Sequence, residues 1–224
     1  MSPSDPDGSH KTGRFITFEG GEGTGKTTQI RRLAEHLQSI GIDVVTTREP
    51  GGTPEAEAIR GLLLTSENIA WDGAEEVMLV FAARHAHIRS LIAPALARGA
   101  WVICDRFTDS TRAYQGFGKG VDGATIDALA AIAQGGLWPD RTLMFDMPVD
   151  AALARARGRA EQANRYDLLD AGFHEKVRAG FHAIAQAEPH RVRLIDAAPP
   201  PEQVAEAVLD ALADLLPPGG HEPA

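Results

Sequence analysis

A glycine-rich segment directly after a short apolar run constrains this chain more than any other feature of its sequence. Residues 20–27 read GGEGTGKT, and the run before them, Phe15–Phe18, has the apolar character of a buried strand. The segment matches the pattern G-x-x-x-x-G-K-[ST], and the residues that follow predict a helix over 26–40, ended by Gly41. Strand, glycine-rich turn and helix in this order predict a loop whose backbone N–H groups converge on a phosphate.

Each residue of this phosphate loop has an expected role. Lys26 is expected to reach the β- and γ-phosphates of a nucleotide, and the Thr27 hydroxyl is expected to face Mg²⁺. A glycine-rich turn that serves only strand–helix packing is the alternative, which the strand and helix on either side make less favourable. The remaining residues expected to contact the bound phosphates are Gly20, Gly21, Glu22, Gly23, Thr24, Gly25 and Thr28.

Short apolar runs alternate with helical patterns along the rest of the chain. The runs predict strands over residues 15–18, 42–47, 101–104, 142–145 and 192–195. Because this alternation favours parallel strands covered by helices on both faces, we predict an α/β, three-layer fold with a five-stranded parallel sheet. Residues 14–216 are predicted to form one domain, and the Pro-, Gly- and polar-rich segments 1–13 and 217–224 are predicted to be flexible tails.

The composition excludes several classes of protein. Of the 224 residues, 43% are hydrophobic, which suffices for a core, yet no apolar run approaches the ~18 residues of a membrane span. The net charge of −9 argues against a broad nucleic-acid-binding face. Cys104 is the single cysteine, which excludes an intrachain disulfide. The N-terminus lacks the apolar segment of a secretory signal, so we expect a cytoplasmic location.

Polar residues at the carboxyl ends of two predicted strands are further site candidates. Asp105 follows the run 101–104 directly, at the edge where α/β sheets bind ligands, and is the expected metal-side carboxylate. An aspartate that only caps the next turn is the alternative. Arg48 precedes a sharp turn at the end of the second strand, and Arg106 stands beside Asp105. Both arginines are candidates for binding an anionic group, because guanidinium groups bind phosphate in a bidentate manner.

Arg84 lies within an apolar helical stripe. It falls four residues after Val80 and four before Ile88, on the face expected to be buried. A buried arginine requires an anion or a polar partner. A core ion pair and a substrate contact are both open on the sequence alone.

Four segments in this chain carry a resemblance to a known family. They are FEGGEGTGKTT at 18–28, REPGGT at 48–53, AAR at 82–84 and DRFTDSTRAYQG at 105–116. In order and spacing they resemble the thymidylate kinases, nucleoside-monophosphate kinases that convert dTMP to dTDP, and the resemblance spans residues 14 to about 200. It implies a P-loop kinase fold with a small mobile lid, ATP as phosphoryl donor, Mg²⁺ and a homodimer.

The resemblance also implies roles at the acceptor site. Glu22 resembles the carboxylate that contacts the sugar 3′-hydroxyl of dTMP, and Arg84 resembles the arginine that hydrogen-bonds thymine. Arg48 and Arg106 resemble the arginines that hold the monophosphate, and Tyr114 resembles a ring that crowds out a ribose 2′-hydroxyl. The residues implied to bind dTMP are Glu22, Arg48, Phe81, Arg84, Arg106, Ser110, Thr111, Tyr114 and Gln115.

One position departs from the family pattern. The family usually has a phenylalanine four residues before the helix arginine, where its ring stacks on thymine. Here that position is Val80, and Phe81 follows it. Either Phe81 turns toward the base, or the base rests against an aliphatic wall.

The segment at about 155–166 is the expected lid. Arg155, Arg157 and Arg159 surround Gly158, and a solvated helix face is the alternative interpretation. A closing lid would bring positive charge to the transferred phosphoryl group. In this family a catalytic basic residue comes from the phosphate loop or from the lid, and the loop position is Gly23 here. The chain therefore resembles the lid-arginine class, with Arg157 as first candidate, and the expected catalytic residues are Lys26, Arg106, Arg155, Arg157 and Arg159.

Two other functions stay open on the sequence alone. The chain could phosphorylate another nucleoside monophosphate or a deoxynucleoside, although Arg48 and Arg106 favour a charged acceptor. It could also be a P-loop switch protein whose output is a conformational change in a partner. A switch protein has no use for two further arginines and a base pocket at the same sheet edge.

Overall fold

A five-stranded parallel sheet forms the centre of this computed structural model, which describes residues 13–65, 70–157, 166, 169–218 and 220. The strand order is β2-β3-β1-β4-β5, and every neighbouring pair is parallel. The predicted α/β class and five-stranded parallel sheet are therefore confirmed. The strands are β1 (Phe15–Gly20), β2 (Val44–Arg48), β3 (Trp101–Asp105), β4 (Arg141–Asp146) and β5 (Val192–Asp196).

The second strand begins two residues later than predicted. The Ile42 N–H donates to the Leu37 carbonyl at 3.0 Å, so Ile42 still belongs to the turn that ends the first helix. The helices are α1 (Lys26–Ser39), α2 (Pro54–Thr65), α3 (Gly73–His87), α4 (Ala93–Ala97), α5 (Thr108–Thr111), α6 (Gly123–Gln134), α7 (Val149–Arg157), α8 (Ala171–Ala187) and α9 (Pro201–Asp210).

Two of the described segments are π-helical, of which the first lies where the sequence predicts a regular helix. Ile88–Ile92 follows α3 directly, so the apolar stripe around Arg84 continues through a wider turn. Arg112–Gly118 continues α5 and carries Tyr114 and Gln115. Because π-helical turns are frequent at functional sites, the second segment marks a place to look for one.

Helices cover both faces of the sheet, which gives the three predicted layers. Successive residues of a strand point to opposite faces, and β1 shows this alternation. Ile16 and Phe18 pack in the cluster beneath α1 and α9, whereas Phe15 packs with Ile92 and Phe107 on the other face. Among the described helices, none combines the length and apolar character that crossing a bilayer requires.

The strand order brings the predicted site residues to one edge of the sheet. In the register of the central strands, Asp105 on β3 pairs with Phe18 on β1 and with Arg48 on β2. The phosphate loop leaves β1 at the same carboxyl edge, where parallel sheets bind ligands. At the far end of the chain, Gly220 is buried and its carbonyl oxygen lies 2.7 Å from His36 Nε2 on α1.

Candidate active site

The phosphate loop folds around the ammonium group of its own lysine. Lys26 is buried, and its Nζ donates hydrogen bonds to the carbonyls of Gly20 at 3.1 Å and Gly21 at 2.9 Å. The Thr24 hydroxyl donates to the Gly21 carbonyl at 2.9 Å. Gly25 has a φ of 88° and caps the first turn of α1. The loop thus places a lysine and the N-terminus of a helix together, which is the arrangement that binds phosphate.

Gly23 lies against the backbone of α7. Its φ is 74°, and a side chain at this position would collide with the carbonyl of Ala152. The phosphate loop therefore has no room for a long basic side chain at Gly23. A basic group for this site must come from another element.

The arginines of α7 have different environments. Arg155 donates to the carbonyls of Ala197 and Ala198 at 2.9 Å and 3.0 Å, which ties α7 to the segment after β5. Arg157 is the last residue of α7 and is exposed. Arg159 lies outside the described residues. Of these two described arginines, only Arg155 donates hydrogen bonds to the segment after β5.

A pocket of about 190 Å³ lies beside the phosphate loop. It brings together most of the residues that the resemblance implied for the acceptor, although they come from four separate stretches of the chain. The predicted site residues that line it are Glu22, Arg48, Arg84, Asp105, Arg106, Ser110, Thr111, Tyr114 and Gln115.

Arg106 lies at the junction between the pocket and the phosphate loop. Its Nη1 donates to the Gly20 carbonyl at 3.0 Å and to Ser110 Oγ at 3.1 Å. Its Nη2 donates to Glu22 Oε1 at 2.6 Å and to the Tyr114 hydroxyl at 3.2 Å. The guanidinium thus contacts both the loop expected to hold the donor and residues of the acceptor pocket.

The charges at this junction stabilise one another. Burial opposes ionisation of Glu22, but the positive charges of Arg106 and Lys26 outweigh it and hold the pKa of Glu22 below its ordinary value. Burial likewise opposes the charge of Arg106, but the Glu22 carboxylate keeps the pKa of Arg106 well above its ordinary value. Burial, reinforced by the charge of Arg106, lowers the pKa of Lys26. The site is a compact set of two cations and a carboxylate.

Arg84 forms a core ion pair, one of the two roles that the sequence left open, and it also lines the pocket. It is 1% exposed, and its Nε donates to Glu49 Oε2 at 2.7 Å in a buried ion pair. Its Nη2 donates to Thr111 Oγ1 at 3.1 Å, while Nη1 is buried without a partner among the described residues. The guanidinium lies 4.6 Å from the Phe81 ring centroid and 4.8 Å from that of Phe107. Arg84 is therefore a core ion pair that also forms part of the pocket wall.

Val80, and not Phe81, faces the acceptor pocket. Val80 is among the residues that line the pocket, together with Leu63 and Leu64. Phe81 is 3% exposed and packs in a core cluster with Val77 and other residues of α3 and α6. Of the two arrangements expected for a bound base, the structure has the aliphatic wall, with the Phe81 ring packed against Arg84.

Arg60 and Tyr166 are two of the pocket residues that the sequence interpretation missed. Arg60 of α2 lines the pocket and donates to the Pro50 carbonyl at 2.8 Å; burial and the neighbouring Arg48 lower its pKa. Tyr166 also lines the pocket, and its hydroxyl donates to Glu76 Oε2 at 2.9 Å. Nothing in the local sequence distinguishes Arg60 from a solvated helix arginine, because its position at the pocket arises only when α2 packs against α3 and brings Arg60 to the turn at Pro50.

Glu19 is a further buried carboxylate next to the pocket that the sequence interpretation did not single out. It is fully buried, and it accepts hydrogen bonds from the Phe107 N–H at 2.7 Å and the Ser110 hydroxyl at 2.5 Å. Burial, together with the negative charge of Asp109, raises the pKa of Glu19 to about 7. A charged residue that ends an apolar strand is the sequence signal that could have identified it.

Thr27 and Asp105 offer oxygen donors of the kind that Mg²⁺ prefers. Thr27 is exposed in the first turn of α1. Asp105 lines the pocket, and its Oδ1 is buried without a hydrogen-bond partner among the described residues. An unpartnered buried carboxylate oxygen beside Lys26 fits a cation. Among the described residues, no group of three or more His, Cys, Asp or Glu side chains is arranged to hold a metal ion.

The geometry favours transfer of a phosphoryl group between two phosphorylated ligands. One side of the site is a loop built for the phosphates of a nucleotide, and the other is a pocket lined by Arg48, Arg60 and Arg106. A neutral acceptor would not require three arginines, because cations gathered in one pocket repel each other.

Comparisons with known proteins agree with this geometry. Residues 18–208 match the family described as thymidylate kinase. The chain is 51% identical over 204 residues to the thymidylate kinase of Alkalilimnicola ehrlichii, covering 91% of this chain and 94% of the relative. It is 53% identical over 205 residues to the thymidylate kinase of Pseudomonas fluorescens strain SBW25, covering 92% of this chain and 97% of that relative. The crystal structure of thymidylate kinase from Ehrlichia chaffeensis superposes with a TM-score of 0.75 at 36% identity, covering 89% of this chain and 98% of that chain.

Proposed function

Because the chain belongs to the thymidylate kinase family, its activity is the ATP-dependent phosphorylation of dTMP to dTDP, and we propose how its residues perform this reaction. Family membership decides against the two other functions that the sequence left open. The observation that carries the proposal is the position of Arg106, whose guanidinium contacts the phosphate loop at Gly20 and the acceptor pocket at Ser110 and Tyr114.

The dTMP phosphate is held by the arginines of the pocket. Arg106 and Arg48 bind its oxygens, as the resemblance implied, and Arg60 adds a third positive charge. Arg48 is paired with Glu57 at 3.0 Å and its side chain is 57% exposed, so it can turn toward an entering anion. The lowered pKa of Arg60 supports this assignment, because a bound phosphate would relieve the repulsion between Arg60 and Arg48.

The thymine base and the sugar occupy the deeper part of the pocket. Arg84 Nη1, which has no partner among the described residues, donates to the base, and Val80 supplies an aliphatic wall in place of a stacked ring. Glu22 accepts a hydrogen bond from the 3′-hydroxyl. The ring of Tyr114, which is 5% exposed, crowds the place of a ribose 2′-hydroxyl. Ser110, Thr111 and Gln115 complete the wall.

ATP binds through its phosphates to the loop at residues 20–28. The backbone N–H groups of the loop and the N-terminus of α1 face the phosphates, and Lys26 exchanges its carbonyl partners for phosphate oxygens. Thr27 and Asp105 would hold Mg²⁺. When bound, Mg²⁺ neutralises charge on the β- and γ-phosphates.

The lid supplies the last positive charge. We assign this role to Arg157, because Gly23 leaves no room for a second basic side chain in the phosphate loop beside Lys26, and because Arg155 is tied to the carbonyls of Ala197 and Ala198. Arg155 and Arg159 remain further candidates. The acceptor phosphate is already anionic at neutral pH, so the residues position the two phosphates and neutralise charge, and no strong general base is required.

A homodimer through α3 and α6 is part of the proposal. The two helices pack against each other, and Met78 on α3 is 55% exposed while Ile132 on α6 is 76% exposed. Exposed apolar side chains on neighbouring helices support an association surface. The Ile132→Glu variant is expected to sediment as a monomer; sedimentation of the unchanged protein as a monomer would contradict the dimer. Nucleotide substrates that occur inside cells support a cytoplasmic location. Residues 14–216 are proposed as the catalytic domain with a lid at about 155–166, of which residues 158–165 lie outside the described part of the chain.

A substrate panel tests the proposed acceptor site. ADP release with Mg·ATP is measured against dTMP, dUMP, UMP, AMP, GMP and CMP, each beside a blank without acceptor. The highest rate with dTMP, a lower rate with dUMP and rates near the blank elsewhere are expected. A highest rate with another monophosphate would overturn the assignments at the base pocket.

A further inference from the structure

Arg106 has a backbone conformation that its surroundings must hold in place. Its φ is 73°, and among the described residues it is the one non-glycine with a positive φ. A side chain in this region crowds its own backbone, so such a residue persists only when neighbouring groups determine its conformation. Arg106 is also the residue on which the proposed contact with dTMP depends.

The groups that hold Arg106 come from β1. The Arg106 N–H donates to the Phe18 carbonyl at 2.9 Å, and the next N–H, of Phe107, donates to Glu19 Oε1 at 2.7 Å. The second carboxylate oxygen of Glu19 accepts the Ser110 hydroxyl at 2.5 Å. One buried carboxylate thus binds both ends of the turn from Arg106 to Ser110.

The same carboxylate reaches the guanidinium through one intermediate group. Ser110 Oγ donates to Glu19 and accepts from Arg106 Nη1 at 3.1 Å. Because the hydroxyl proton is used by Glu19, the lone pairs of Ser110 Oγ face Arg106. Glu19 therefore fixes the rotation of the Ser110 hydroxyl, and the lone pairs left on that oxygen accept the hydrogen bond from the guanidinium.

We propose that Glu19 is a positioning residue for dTMP binding, which holds Arg106 in its left-handed conformation and orients its guanidinium through Ser110. This rests on the proposed function of Arg106. Glu19 is fully buried beneath the pocket and is not among the residues that line it, so its effect on the substrate is exerted through the Phe107 N–H and Ser110. The expected consequence is specific to the acceptor, because the phosphate loop keeps its own contacts within residues 20–28.

Two variants of Glu19 and one matched control test the proposal. Glu19→Ala removes both acceptors, while Glu19→Gln keeps an oxygen for the Phe107 N–H and loses the acceptor for the Ser110 hydroxyl. Thr17→Val is the control, because Thr17 is fully buried on the same strand and its hydroxyl bonds Thr142 at 2.8 Å, away from Arg106. Steady-state kinetics with dTMP and ATP varied in turn, and the melting temperature, are measured for each.

Glu19→Ala is expected to raise the KM for dTMP at least tenfold with the KM for ATP within threefold, and Glu19→Gln is expected to give a smaller rise in the same direction. Thr17→Val is expected to lower the melting temperature without changing either KM. A KM for dTMP within twofold of the unchanged protein in both Glu19 variants, or an equal rise in Thr17→Val, would overturn the proposal.

A crystal structure of a Glu19 variant separates this proposal from the proposed function. In that structure Arg106 is expected to leave the left-handed region or to rotate its guanidinium away from Gly20. If the unchanged protein does not phosphorylate dTMP, the proposed function fails, yet this readout still tests whether Glu19 positions Arg106. An Arg106 that keeps its φ and its contacts in the variant would contradict the positioning role.

Discussion

Arg106 and Glu22 are joined by a hydrogen bond of 2.6 Å, although 84 residues separate them in the chain. This bond places the carboxylate of the phosphate loop in the wall of the acceptor pocket. Glu22 is held ionised by the neighbouring cations, which suits a group that accepts a hydrogen bond from a sugar hydroxyl.

We expect Glu22→Ala to raise the KM for dTMP by about tenfold or more, because hydrogen bonds to charged groups contribute about 1.5–3 kcal/mol. The substitution should also narrow the difference in KM between dTMP and its 3′-deoxy analogue. Kinetics with both substrates measure this, and Glu35→Ala, which removes an exposed carboxylate of α1, serves as the control. A preference for the 3′-hydroxyl that persists in Glu22→Ala would refute the contact.

Removing the lid arginine should slow the chemical step. Arg157→Ala is expected to lower kcat by at least ~100-fold, since arginines that stabilise a transferring phosphoryl group contribute ~10³–10⁵ in rate. Arg31→Ala, at an exposed arginine of α1, should leave kcat unchanged. Single-turnover rates at saturating ATP and dTMP give the comparison. A loss below about threefold would remove Arg157 from the mechanism.

Selectivity for deoxynucleotides should depend on the ring of Tyr114 more than on its hydroxyl. Tyr114→Ala opens the space expected for a 2′-hydroxyl, so the ratio of kcat/KM for dUMP over UMP should fall. Tyr114→Phe keeps the ring and loses only the hydroxyl that accepts from Arg106 at 3.2 Å, so it should retain the discrimination. Equal discrimination by the alanine variant and the unchanged protein would exclude a steric role.

An aromatic ring at position 80 should strengthen binding of the base. Val80 is 8% exposed and forms part of the aliphatic wall. Val80→Phe is expected to lower the Kd for dTMP by about fivefold or more, because stacking of a base on an aromatic ring contributes about 1–3 kcal/mol. Val80→Leu adds volume without a ring and should show no such gain. Calorimetric titration with dTMP measures the Kd of each variant. Equal Kd values for Val80→Phe and Val80→Leu would contradict the prediction.

The buried carboxylate of Glu19 should make stability depend on pH. Its pKa in the folded protein is about 7, above the ordinary value, so between these values the folded state holds a proton that the unfolded chain has released. The contribution of Glu19 to the free energy of unfolding is complete below its ordinary pKa, and this contribution is lost as the pH rises through about 7.

Urea unfolding from pH 5 to 8 measures this dependence. The free energy of unfolding should fall with rising pH more steeply for the unchanged protein than for Glu19→Gln, by at most about 1.4 kcal/mol per pH unit for one proton. Parallel curves for the two proteins would show that Glu19 does not titrate in this range.

Much of the fold was predictable because it depends on local sequence patterns. Apolar runs alternating with helical periodicity predicted all five strands, and the glycine-rich loop before Lys26 predicted the phosphate site and the start of α1. The spacing around Arg84 predicted its burial. Backbone conformation and burial follow from neighbouring residues, which is why these features can be read along the chain.

The partners of the site residues could not be read in this way. Glu19 below Arg106, Arg60 beside Arg48 and the choice of Val80 over Phe81 for the pocket wall all depend on which strands and helices become neighbours. Two side chains far apart in the chain meet only after the sheet orders its strands and the core fixes each helix. Local sequence therefore established the elements and the chemical groups at the sheet edge, and long-range packing selected the contacts through which those groups act.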